Sequence, residues 1–165
     1  MTAARTLPAR RAVVVGTGAP TRVDLSQALA DIRARHSHDS DQNLAASEAA
    51  ALWGGPLGPR ETQRLELQAS WYAEIILAPA PNGCWAMAIS YQYGIGGFSS
   101  NPSLWSPQVW TSRKAAQDAA FAELQGQFKQ LTADRLLTPG QQRLAARMAE
   151  LIRRAQQASR QMSLF

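Results

Sequence analysis

The densest set of side chains able to do chemistry is a run of arginines, Arg143, Arg147, Arg153, Arg154 and Arg160, with Glu150 as the one acid among them. A second basic stretch, Arg5, Arg10 and Arg11, has no acid in residues 1–11. The chain carries a formal net charge of +5, so the body between the two stretches is close to neutral. Basic ends on a neutral body suit contact with an anionic polymer such as DNA. The plain alternative is two solvated ends.

Other combinations carry less. Gly16-Thr17-Gly18 follows Val13-Val14-Val15 as a dinucleotide loop would, but the third glycine position holds Thr21 and Pro20 intervenes. His36, His38, Asp39 and Asp41 lie close together, yet their spacing matches no common zinc pattern and reads as a polar turn. Cys84 stands beside a predicted turn with no base near it in sequence, and reads as an inert strand residue. There are 5 tryptophans. Trp71 and Trp85 read as core. Trp105 and Trp110, near a Ser/Pro/Gly loop, are expected to cover the sheet, the alternative being stacking on unpaired bases. No Ser/His/Asp set, paired-carboxylate signature or nucleotide loop has recognisable spacing, so the chain reads as non-enzymatic, with no metal and no cofactor.

The last five residues are Gln161, Met162, Ser163, Leu164 and Phe165. This string resembles the peptide by which bacterial replication and repair proteins dock on the DNA sliding clamp, whose pattern reads Gln, Leu, Ser or Asp, Leu, Phe. Met162 departs from the pattern, one flexible apolar side chain replacing another. The resemblance covers these residues alone; residues 1–160 match no family pattern. It implies a partner, the clamp's beta subunit. Leu164 and Phe165 would anchor in a pocket, Gln161 would bond polar groups at its rim, and Met162 and Ser163 would span between them. The alternative is that Leu164 and Phe165 pack on the protein's own body.

These residues need elements to position them. Residues 1–23 read as a mobile basic arm with a short extended stretch at 12–15. Asp24 reads as a helix N-cap with Gln27 completing a capping box, and Leu25, Ala28, Leu29 and Ile32 share a helical face. A second short helix runs through Leu44, Glu48, Ala51 and Leu52, and Trp53-Gly54-Gly55-Pro56 stops it. Residues 54–62 are expected to be a loop. The odd positions Leu65, Leu67, Ala69, Trp71, Ala73, Ile75 and Leu77 alternate with mostly polar ones, which predicts a strand with one buried face. Pro79, Pro81 and Asn82-Gly83 make a turn. Trp85, Met87, Ile89, Tyr91 and Tyr93 resume the pattern, and Gly94, Gly96 and Gly97 break it. A third strand is expected at 108–111. Thr111 or Ser112 caps a helix with a stripe at Ala120, Leu124, Phe128 and Leu131, Phe121 beside it. Pro139 opens a last helix with its stripe at Leu144, Met148, Leu151, Ile152 and Ala155.

The expected architecture is α+β: one domain over 24–160, built on a small antiparallel meander of two or three strands flanked by helices. A basic C-terminal helix carries the docking peptide at 161–165. Hydrophobic content of 45% excludes wholesale disorder. No apolar run is long enough to span a membrane, and the apolar stretch after Arg11 is too short for a signal peptide. One cysteine excludes an intrachain disulfide and fits a cytoplasmic protein. The expected function is that of an accessory protein of DNA replication, repair or mobile-element propagation, recruited to the sliding clamp and contacting DNA through its basic termini. Two alternatives stay open. One is an inhibitor or anti-defence protein that binds a host enzyme through its sheet and aromatic surface. The other is a nucleic-acid-binding module with no clamp contact.

Overall fold

The computed structural model describes residues 22–162. Its architecture is α+β, with an antiparallel sheet of six strands where the sequence suggests two or three. The order along the chain is β1 (Arg22–Asp24), α1 (Ser26–Arg35), one 3-10 turn (Asp39–Asp41), α2 (Gln42–Leu52), β2 (Glu61–Gln68), β3 (Trp71–Pro79), β4 (Trp85–Tyr93), β5 (Gly96–Ser99), β6 (Gln108–Trp110), α3 (Arg113–Ala133) and α4 (Pro139–Met162). Across the sheet the strands run β1-β6-β4-β3-β2, and β5 pairs with β4.

The stretch expected to be one strand is a hairpin. Residues 69–70 turn the chain, so that Leu65 pairs with Ala73 and Gln63 with Ile75. A two-residue turn alone sets odd positions opposite even ones, as in Gln68↔Trp71; one extra residue in β2 restores odd opposite odd, so the period of two survives the reversal. The register shifts between Glu66 and Gln68, a bulge beside that turn. Strands β3 and β4 pair without interruption from Trp71↔Tyr93 to Pro79↔Trp85. Asn82 builds the turn between them, its Oδ1 accepting from the Cys84 N–H at 3.0 Å. The glycines at 94–97 reverse the chain into β5 rather than ending the sheet. Gly94 has φ 62°, as the first central residue of a type II′ hairpin turn requires.

Both sheet faces are covered. The odd face carries Trp71, Ile75, Leu77 and Ile89 against Phe121, Leu124 and Phe128 of α3 and Met148 and Ile152 of α4. Trp85 packs on this cluster from its margin, half-buried. The opposite face, expected to be polar, forms a second core in which Leu29, Ile32, Ala45, Ala49 and Trp53 pack with Cys84, Ala86 and Val109. Trp53 is fully buried and its indole N–H donates to the Leu104 carbonyl at 3.0 Å.

Local signals fix the helix starts. Ser112 caps α3, its Oγ accepting from the Ala115 N–H at 3.1 Å. Thr138 and Gln141 form a reciprocal capping box at α4: the Thr138 Oγ1 accepts from Gln141 N–H at 3.2 Å, and the Gln141 Oε1 accepts from Thr138 N–H at 2.9 Å. At α1 the expected box is absent. Asp24 ends β1 and accepts from the Ser26 N–H, while Gln27 bonds Asp31 instead. Arg22 and Val23, placed in the arm by the sequence, pair with Trp110 and Val109 of β6.

Candidate partner-docking site and nucleic-acid interface

Helix α4 carries the residues that the sequence singles out. Its inner side, Ala145, Met148 and Ile152, is fully buried, which turns all five arginines outward. They fall into two groups. Arg153 and Arg154 both donate to Glu150, at 2.7 Å and 2.8 Å. Those two guanidiniums, Arg153 first, hold the Glu150 carboxyl down to about 2. Arg160 reaches across to Asp118 of α3 at 3.2 Å. Arg143 and Arg147, nearer the start of α4, make no ion pair among the described residues and stay exposed.

The far end of α4 is tied to its neighbours. Gln156 accepts from Gln125 at 2.7 Å, and Ser159 donates to the buried Gln117 at 2.9 Å. Gln117 in turn donates to Gln63 of β2 at 2.9 Å. The helix axis is thus held beside α3 as far as Arg160. Beyond that clasp, Gln161 and Met162 are exposed, Met162 at 75%. Ser163, Leu164 and Phe165 lie outside the described residues, as do Arg5, Arg10, Arg11 and the Gly16-Thr17-Gly18 string.

The remaining candidates have local roles. His36 Nε2 lies 2.9 Å from Glu48 Oε1, and Glu48 also takes Arg35, so this pair fastens α1 to α2. Among the described residues no group of three or more His, Cys, Asp or Glu could hold a metal ion. Cys84 is fully buried, and burial pushes its thiol pKa up, which disfavours the nucleophilic thiolate. Trp110 is buried. Trp105 packs against the second core with the Arg33 guanidinium 4.8 Å from its ring centre, so that ring face is already occupied. Arg64 sits 3.8 Å over Tyr72 while pairing with Glu66 and Glu74.

Sequence reasoning passed over a group at the opposite end of α4. Lys129 near the end of α3 and Arg135 in the α3–α4 turn are exposed. Leu136 is 91% exposed and Ile95, at the β4–β5 turn, 88%. A signal was present: an isoleucine between hairpin glycines and a leucine beside Asp134-Arg135 are apolar side chains where turn chemistry favours polar ones. No helix among the described residues is long and apolar enough to cross a membrane. Comparison of the chain with family models, curated proteins and solved structures finds no match.

Proposed function

We propose that this protein is an accessory factor of bacterial DNA replication, repair or mobile-element propagation, recruited to the sliding clamp through Gln161–Phe165 and contacting DNA through basic side chains. The observation that carries the reading is the string itself, Gln161-Met162-Ser163-Leu164-Phe165, with its apolar and aromatic pair three residues after the glutamine. The exposure of Gln161 and Met162 supports it, since a docking peptide needs its first residues clear of the body. Linear peptides of this kind bind at roughly micromolar strength, about −8 kcal/mol. A synthetic peptide of residues 155–165 tests the reading. It is expected to bind purified clamp in that range, and Leu164→Ala with Phe165→Ala is expected to remove most of the binding, because anchors carry most of the energy. Equal binding by the two peptides contradicts it.

A further inference from the structure

The α3–α4 turn and the β4–β5 turn meet at one end of the molecule. Gln141 links them. Its Oε1 accepts from Thr138 at the close of the α3–α4 turn, at 2.9 Å. Its Nε2 lies 3.7 Å from where a Cβ on Gly94 would stand, in the β4–β5 turn. Leu136 and Ile95, two positions before Thr138 and one after Gly94, are the two most exposed large apolar side chains of the described residues, at 91% and 88%. Arg135 directly precedes Leu136, Arg143 follows Gln141 by two positions with Arg147 one turn farther along α4, Lys129 lies four positions before the end of α3, and none of the four makes an ion pair among the described residues. The acid in the turn, Asp134, accepts from the Leu136 N–H at 2.9 Å. The cations of α4 that do have carboxylate partners, Arg153, Arg154 and Arg160, are all toward its other end.

We infer that this end is the nucleic-acid-binding surface: Lys129, Arg135, Arg143 and Arg147 grip the phosphates of a DNA duplex while Leu136 and Ile95 wedge against its bases in the minor groove. The charge pattern selects the partner. Unpaired cations gain from releasing the counterions condensed on DNA, whereas an arginine already bound to a carboxylate must first give that partner up. Isolated aliphatic side chains flanked by arginines are what minor-groove proteins insert between base steps. The inference deepens the DNA-contact half of the proposed function and is independent of its clamp half. It puts the DNA surface and the tail at opposite ends of α4, a helix of 24 residues, or about 36 Å.

The test is fluorescence anisotropy of the full chain with a short labelled DNA duplex at about 50 mM salt and upward, with clamp binding measured on the same variants. Arg135→Gln, Arg143→Gln and Arg147→Gln together are expected to weaken DNA binding at least about tenfold and to flatten the log–log salt slope by about three. Arg153→Gln with Arg154→Gln is expected to leave both nearly unchanged. Leu136→Ala with Ile95→Ala is expected to weaken binding without changing the salt slope. All are surface changes, and unaltered melting curves confirm that the fold is kept. Clamp binding stays at the wild-type level in every variant if the tail acts alone. Undetectable DNA binding at low salt overturns the inference, as does a loss concentrated in the Arg153/Arg154 variant. So does binding to phosphatidylserine vesicles in place of DNA.

Discussion

Glu150 is the residue on which the charge of α4 turns. It holds Arg153 and Arg154 at once, so two of the five arginines are neutralised in part by one carboxylate. Its pKa lies near 2, below the ordinary value of 4.5. A depressed carboxylate contributes its pairing fully above the unfolded value and loses it only as pH falls through the folded one. The pairing therefore persists throughout the neutral and mildly acidic range, and a carbon-13 NMR titration of Glu150 is expected to show its midpoint near pH 2. A midpoint at 4 or above would mean that the arginines are free in solution. Arg153 and Arg154 are exposed and Glu150 half-buried, so solvent screening keeps the contribution of the pairing small and Glu150→Gln is expected to lower the melting temperature only slightly. It is also expected to alter DNA affinity far less than Arg143→Gln does, because the freed arginines lie farther along α4 from the proposed tip. Sequence showed five arginines as one equivalent set. The pairing of Arg153 and Arg154 with Glu150, three and four positions away, was open to a helical reading, whereas that of Arg160 was hidden because its partner, Asp118, lies 42 positions away in the chain.

At the scale of elements, the strongest local patterns translated well. The stripe Ala120, Leu124, Phe128 with Phe121 is buried, Ser112 caps α3, and Pro139 stands first in α4. The alternation of 65–77 was legible as a face but not as a topology. The bulge between Glu66 and Gln68 cancels the parity change of the two-residue turn, so one long strand and this hairpin share the same pattern. The second core was illegible for a different reason. From β4 and the turn before it that core takes Ala80, Cys84 and Ala86, small residues whose hydrophobic signal is weak beside that of the opposite face. Strand β1 was masked by its length of three residues, and its pairing is set by β6 from far along the chain. Two stability predictions follow from these elements. Trp71→Ala is expected to cost roughly 3–5 kcal/mol in chemical denaturation, from lost burial plus the cavity left behind, and the half-buried Trp85→Ala less than that. Ser112→Ala is expected to cost about 1 kcal/mol through the unsatisfied first-turn N–H of α3. A Trp71→Ala protein as stable as the wild type would mean that the packing of α3 and α4 on the hairpin is misplaced.

At the scale of the whole molecule, a three-layer body holds α4 against α3 and the sheet as far as Arg160 and leaves Gln161 and Met162 exposed. The proposal for residues 161–165 rests on residue order alone, which needs no fold to be seen. The tip of Leu136, Ile95 and unpaired cations was not legible, because its members come from two turns that only the tertiary structure brings together. The account assigns these two ends separate tasks, clamp recruitment and DNA contact, so they must be separable by mutation. The most direct test of recruitment is isothermal titration of the full-length protein into purified sliding clamp, run with the Leu164→Ala/Phe165→Ala variant and with thermal melts of both. The account predicts roughly micromolar binding by the wild type, loss of most of it in the variant, and the same melting temperature for the two. Binding retained by the variant, or binding absent from the wild type, would contradict it. So would a variant destabilised by a kcal/mol or more, which would make Leu164 and Phe165 part of the protein's own packing.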